Sequence, residues 1–164
     1  MSHYCLNCGT PLLTKEIESR LREVCPKCGW IFYQQLKVSA GCCVEQDGKL
    51  LLVQRGLDPY KGAWHMPAGY VEVDELPSLA AERETREESG LIVKNQELLG
   101  AYYYNDDPRG NGVVILYRAK VLDGKLTTSN ETLAAKFFSP QELDNIPLAG
   151  MSAEASIRDW LDGK

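Results

Sequence analysis

Long apolar runs are missing from this sequence. No stretch of its 164 residues approaches the roughly 20 apolar residues that span a bilayer. A basic excess is missing too: 18 Lys and Arg face 23 Asp and Glu, for a formal charge of −5. That excludes a basic nucleic-acid surface and a polybasic membrane patch. An acidic chain can still hold a phosphorylated ligand if a divalent cation bridges the two. The N-terminal MSHYCLNC has no basic region leading into an apolar stretch, so no secretory signal and a cytoplasmic location are expected. There is no internal repeat and no low-complexity tract. What remains, 44% apolar and 25% charged, is ordinary globular composition, with room for one sizeable core and a small satellite module.

The six cysteines are not spread like a disulfide framework. Four form two CxxC pairs, Cys5 with Cys8 and Cys25 with Cys28, each followed by a glycine, Gly9 or Gly29. Sixteen residues separate the pairs. This is a four-thiolate pattern for structural zinc, with iron as the alternative. Residues 1–34 hold too few apolar side chains for a core, so a metal has to supply the folding energy. Four thiolates leave no open coordination position, and no catalysis is assigned there. His3 is surplus to the set. Four basic and three acidic side chains in this unit make no electrostatic footprint for nucleic acid; packing or oligomerisation is the expected role. Adjacent Cys42 and Cys43 are expected in a strand, on opposite faces of a sheet.

Residues 37–164 form the second expected domain. Asp47-Gly48 marks a hairpin turn between two strands. Residues 76–89 read as a helix, with Pro77 in its first turn and Ser89-Gly90 as the stop. Leu79, Ala80 and Thr85 are spaced to help form its buried face. Residues 91–104, 113–121 and 133–139 read as strands, the second of them central. SPQELDNI is a short helix with a capping box at Ser139 and Glu142, and SAEASIRDWLDG is another. Strands around a central helix, closed by a helix, make an α/β domain with a mixed sheet.

The central helix contains RETREES, 83–89, with five ionisable side chains in six consecutive positions. Glu84, Glu87 and Glu88 share one face and repel. A divalent cation among them favours their charged forms. Compact carboxylates suit magnesium or manganese, with waters and substrate phosphates completing the shell. Arg83, four residues before Glu87, can brace it. Glu82 and Arg86 are expected to pair on the solvent side. From charge density alone, a solvated helix face is the better reading.

The longer stretch GYVEVDELPSLAAERETREESGL reverses that. It resembles the Nudix hydrolase signature, G-x5-E-x7-R-E-U-x-E-E-x-G-U, where U is aliphatic. Gly69, Glu75, Arg83, Glu84, Glu87, Glu88, Gly90 and Leu91 are in register, while Thr85 stands at an aliphatic position. The resemblance implies a Nudix-type α/β/α sandwich with a mixed β-sheet, preceded by a small four-cysteine zinc ribbon. It implies Glu84, Glu87 and Glu88 as metal- or water-handling carboxylates and the Ala68 carbonyl as a further ligand. Glu75 and Arg83 would orient the helix carboxylates. The implied reaction breaks a nucleoside diphosphate derivative at its pyrophosphate. The proton of the attacking water goes to Glu84 or to a loop carboxylate, Glu131, Asp106 or Asp107.

A ribbon followed by this box is similar to Nudix enzymes that hydrolyse NADH, FAD and ADP-ribose. No Ser-Gln-Pro-Trp type segment follows the box, which lowers NADH. The flow CxxCG, CxxCG, YQ, GxW-x-PAGYxE, through Tyr33-Gln34, Gly62, Trp64 and Pro67 to Tyr70, resembles short ribbon-Nudix proteins related to plant plastid FAD and ADP-ribose pyrophosphatases. ADP-ribose or FAD is the expected small-molecule substrate. The alternatives are NADH, another dinucleotide or coenzyme A, or a nucleotide-binding module without turnover. Trp64, Tyr70, Tyr102 and Tyr104 offer stacking surfaces, Arg55 and Arg109 offer counter-charge, and His65 offers a hydrogen-bond donor. No nucleic-acid or membrane partner is expected, and the resemblance allows a homodimer.

Overall fold

The computed structural model describes residues 3–163. They fall into two compact units that divide between Gln35 and Leu36.

In the smaller unit, β1 (Leu13–Ile17), β2 (Arg20–Val24) and β3 (Ile31–Phe32) pair antiparallel in that order. The two CxxC turns share one design. Gly9 N–H donates to Cys5 O at 2.9 Å, and Gly29 N–H donates to Cys25 O at 3.0 Å. Both glycines take positive φ, 67° and 76°, which a side chain would strain. The unit's apolar cluster contains only Cys5, Leu12 and Cys25 as buried members, with Cys8, Trp30 and Phe32 packed against them.

The larger unit runs β4 (Lys37–Gln46), β5 (Lys49–Arg55), β6 (Trp64–His65), β7 (Ala68–Tyr70), α1 (Pro77–Ser89), β8 (Leu91–Tyr104), β9 (Gly112–Gly124), β10 (Thr132–Phe138), α2 (Pro140–Leu143) and α3 (Gly150–Leu161). Its sheet has the order β10-β5-β4-β9-β8, with β6 beside β5 and β7 beside β4. β4 and β9 run parallel, while β4 pairs antiparallel with both β5 and β7, so the sheet is mixed. Asp47 and Gly48 turn the β4–β5 hairpin with φ of 53° and 69°, the two positive values that suit the twist of paired strands.

Strand alternation divides the core in two. Cys42, Val44 and Leu51 pack with Ala80 and Ala81 of α1 on one face. Cys43, Leu50 and Leu52 pack with Leu143, Ile157 and Trp160 on the other. Helices therefore cover both faces of the sheet, which explains the unbroken apolar run at Leu50–Val53. Among the described residues, no helix is long and apolar enough to cross a membrane.

α1 differs from expectation in detail. Leu79 is exposed, and the buried stripe is made by Ala80, Ala81 and Thr85. Small residues there let the helix lie close on the sheet. Thr85 takes the place of an aliphatic residue without leaving its hydroxyl unpaired, because Oγ1 donates to Ala81 O at 2.8 Å. Glu82 pairs with Lys94 at 3.2 Å rather than with Arg86, and it also accepts from Asn95 N–H at 3.0 Å. Gly90 ends the helix at φ 75°, its N–H donating to Arg86 O at 2.9 Å.

Candidate active site

A cleft of about 580 Å³ opens beside α1. The helix contributes Glu84, Glu87 and Glu88 to its wall. Ala68, Gly69 and Tyr70 come from β7, Arg55 from the end of β5, and Glu131 from the turn before β10. Tyr104, Asp106, Asp107 and Arg109 line the same cleft.

Arg83 organises the acidic wall. Its Nε and Nη2 donate to the two carboxylate oxygens of Glu75 at 3.1 and 2.5 Å. Its Nη1 donates to Glu84 at 2.6 Å and to Glu87 at 3.3 Å, and Nη2 also reaches Tyr70 O at 3.1 Å. A planar guanidinium with five donors suits this fork-like gathering as an ammonium would not. The bond from Glu75 leads in holding Arg83 more firmly charged than usual.

Two carboxyls are pushed the other way. Burial raises the Glu88 carboxyl to about 8, against the Ala68 N–H that donates to it at 2.9 Å. Burial also raises Glu84 above its ordinary value, against the opposing pull of Arg83 and with Glu87 and Glu131 adding repulsion. Gly69 leaves room for the Glu84 carboxylate, which a Cβ at that position would push out of place. Glu88 is buried, Glu84 half-buried and Glu87 exposed, and mutually repelling carboxylates that offer only oxygen donors fit a hard divalent cation.

The cysteines fit a different ion. Their four Sγ atoms lie within 4.8 Å of one another, and three of the separations are 3.5, 3.5 and 3.7 Å. A tetrahedral site with metal–sulfur bonds of roughly 2.3 Å has edges of roughly 3.8 Å. The Thr10 hydroxyl beside Cys8 holds that thiol down to about 6, toward the thiolate a metal needs.

Other expected site residues are placed differently. Trp64 is packed edge-on against Phe138, ring centroids 4.7 Å apart, and belongs to the core. Tyr102 is buried in the same cluster, its hydroxyl donating to Asp159 at 3.1 Å. Neither lines the cleft, so neither is available to stack on a ligand there. His65 does line it, but Nδ1–H donates to Met66 O at 2.7 Å. Burial and Arg55 hold the imidazole neutral, near 4, so Nε2 is left as an acceptor rather than a donor. Asp106 accepts from Met151 N–H at 2.8 Å, and Asp107 is bidentate with Arg109. Both loop carboxylates are thereby committed. The Glu131 carboxylate has no hydrogen bond or ion pair among the described residues. Tyr60 and Glu72 line the cleft without having been expected. Glu72 stands three residues after Gly69 in an acidic loop. Tyr60 is brought in by a positive φ of 65°, which nothing local in the sequence announces.

A cleft walled by carboxylates that run from buried Glu88 to exposed Glu87, on an α/β/α sandwich, is the apparatus of a metal-dependent hydrolase of phosphorus anhydrides. The NUDIX domain model matches residues 35–161, and a second model, Nudix N-terminal, matches residues 3–34. The chain belongs to the Nudix hydrolase family, whose members are typically dependent on divalent metals. An ADP-ribose pyrophosphatase of Methanocaldococcus jannaschii is 36% identical over 133 residues, covering 80% of this chain and 77% of the relative. The NAD-capped RNA hydrolase NudC of Pseudomonas aeruginosa is 28% identical over 147 residues, covering 89% of this chain but 51% of its own length. A crystal structure of a NUDIX hydrolase from Nitrosomonas europaea matches with a TM-score of 0.83 at 33% identity, covering 98% of this chain and 91% of that one.

Proposed function

We propose that this chain hydrolyses the pyrophosphate bond of ADP-ribose or FAD, using magnesium or manganese. The observation that carries the reading is the grouping of Glu84, Glu87, Glu88 and Glu131 with Arg55 in one cleft. The 36% identity to an ADP-ribose pyrophosphatase favours that substrate.

Glu84, Glu87 and Glu88 would hold the cation, with the Ala68 carbonyl as a further ligand. When bound, it neutralises the diphosphate and acidifies water. Arg55 is anchored by its Nε, which donates to Pro59 O at 2.8 Å, and its terminal nitrogens would meet a phosphoryl oxygen in the cleft that it lines. Arg83 and Glu75 keep the helix carboxylates in place. Water attacks one phosphorus in line, the bridging P–O bond breaks, and the bridging oxygen leaves with the other phosphoryl group. The water's proton passes to Glu131, which no arginine occupies. Tyr70 offers ring surface to the nucleoside, while Tyr104, 8% exposed, and Arg109 line the same cleft. From ADP-ribose the products are AMP and ribose 5-phosphate.

The ribbon cysteines would carry zinc in a structural role. The partner in this reading is a small nucleotide, without nucleic acid or membrane, in the cytoplasm. Homodimerisation is supported by the family resemblance alone and is tested by mass in solution.

The deciding experiment incubates the protein with magnesium or manganese and FAD, ADP-ribose, NADH, coenzyme A or capped RNA, then identifies the products. Cleavage of ADP-ribose or FAD into two monophosphates is expected. No metal-dependent hydrolysis across the panel would sink the assignment.

A further inference from the structure

The exposed turn that carries Glu131 is tied to the acidic helix by a buried hydroxyl. Thr132 begins β10 and is 5% exposed. Its Oγ1 donates to Glu88 O at 3.2 Å and accepts from Ser129 N–H at 2.8 Å. Glu88 O is one of the carbonyls left without a partner where α1 ends, so this bond also caps the helix. Ser129 Oγ lies 3.3 Å from Thr132 Oγ1 and accepts from Glu131 N–H at 3.1 Å. With the Ser129 hydroxyl donating to Thr132, an unbroken relay runs from Glu131 N–H through both hydroxyls to Glu88 O. A hydroxyl has one donor and two acceptor positions, so every link can form at once.

A second tie comes from the neighbouring strand. Thr132 is the register partner of Arg55 in the β5–β10 pair. Gly56 N–H donates to Glu131 O at 2.7 Å, and a Cβ at position 56 would lie 2.9 Å from that oxygen. The backbones of Glu88, Glu131 and Arg55, three of the cleft's charged residues, thus meet around one threonine. Solvation of the Glu131 side chain makes this relevant: nothing bonded to its carboxylate sets its position, so its backbone must.

We infer that Thr132 is a positioning residue, which fixes the Glu131 turn against the end of α1 through the Ser129–Thr132 hydroxyl relay. The inference rests on the proposed hydrolytic role of this cleft. It predicts a loss in turnover rather than in substrate affinity, because the relay acts through the backbone of the turn that carries Glu131.

Thr132→Val keeps the β-branched shape and removes the hydroxyl; Thr132→Ser keeps the hydroxyl; Ser129→Ala breaks the relay at its middle. Thr132→Val should lower kcat by about ten- to 100-fold with KM unchanged, the usual scale for loss of a residue orienting another. Thr132→Ser should restore most of it, and Ser129→Ala should fall between. Without added magnesium or manganese, and with the ribbon cysteines left undisturbed, amide exchange at Ser129 and Glu131 should speed up in Thr132→Val and stay slow in Thr132→Ser. A wild-type kcat for Thr132→Val, or a lower melting temperature with kcat unchanged, overturns the inference. If Thr132→Val does not fold, Ser129→Ala with wild-type kcat overturns it as well. If the wild-type chain hydrolyses no diphosphate, it is the hydrolytic reading that fails. The exchange rates alone then decide whether Thr132 holds the turn.

Discussion

The two ligand clusters of this chain are built on opposite terms. In the ribbon, four sulfurs close on one point, all within 4.8 Å. On α1, the carboxylates spread along an open cleft and are shared out to Arg83 and to the Ala68 N–H. The surroundings differ in the same sense. The ribbon has three buried residues in its apolar cluster, too few to hold a fold. The larger unit has apolar clusters on both faces of its sheet. The first cluster must therefore supply stability to its unit, while the second can be a liability that its unit tolerates. A closed site serves folding; an open and strained one is left for a ligand.

The sharpest way to break this contrast is to swap which unit depends on its cluster. Cys25→Ser should collapse the ribbon, since structural zinc supplies on the order of 10 kcal/mol to such units. Amide protection should vanish across the ribbon, and zinc content should fall from the roughly one per chain expected for four thiolates. All the cleft-lining residues come from the larger unit, so hydrolysis should persist. Loss of hydrolysis alongside the zinc would show that the two units are not separable in this way. Glu88→Gln is the converse. It should lower turnover by on the order of 10³-fold, the scale of several kcal/mol of lost charge stabilisation. Its melting temperature should hold or rise, because a neutral amide keeps the bond to Ala68 N–H without burying charge. A clear drop in melting temperature would mean that Glu88 serves the fold.

How much of this was legible in the residues depended on the range of the interactions. The CxxCG turns are local, and their glycines and sulfurs could be placed from spacing alone. The α1 carboxylates share a face by helical period, so their grouping was legible too. Arg83 was legible only in part. Its tie to Glu87 follows from helix spacing, but its stronger tie to Glu75 crosses a loop. The aromatics show where inference stopped. Tyr102 and Tyr104 share a strand face by alternation, yet Tyr102 is packed in the core and Tyr104 reaches the cleft. What separates them is the packing of distant elements along β8, including the Asp159 that accepts from Tyr102. Leu79 was misplaced for a related reason: its spacing with Ala80 and Thr85 suggested burial, but α1 lies on the sheet through alanines.

Arg83→Lys tests how the open cluster is kept in order. Lysine retains the charge but not the fork, so Glu75, Glu84 and Glu87 cannot all be held at once. Turnover should fall by about ten- to 100-fold, as for other residues that orient ligands, with stability little changed. Wild-type turnover in this variant would reduce Arg83 to a general counter-charge.

The smallest effect belongs to a carboxylate outside both clusters, and it sharpens the contrast by its sign. Glu142 is held down to about 2, first by Lys136 and then by the Ser139 N–H and hydroxyl. Its value is lower folded than the roughly 4.3 of a free glutamate. Its contribution to stability is therefore complete above about 4.3 and lost as pH falls through about 2. Glu142→Gln should flatten the acid limb of stability in that window, read by urea unfolding, and leave hydrolysis at neutral pH untouched. The change should be slight, because the pair is exposed and solvent screens it. An unaltered acid limb would remove Glu142 from the account. Glu88 moves oppositely, raised by burial rather than lowered by partners. A carboxylate that serves the fold is given its partners by the fold. In the proposed reading, one kept for a cation is buried without enough of them, and that shortage is what the cleft would offer to a ligand.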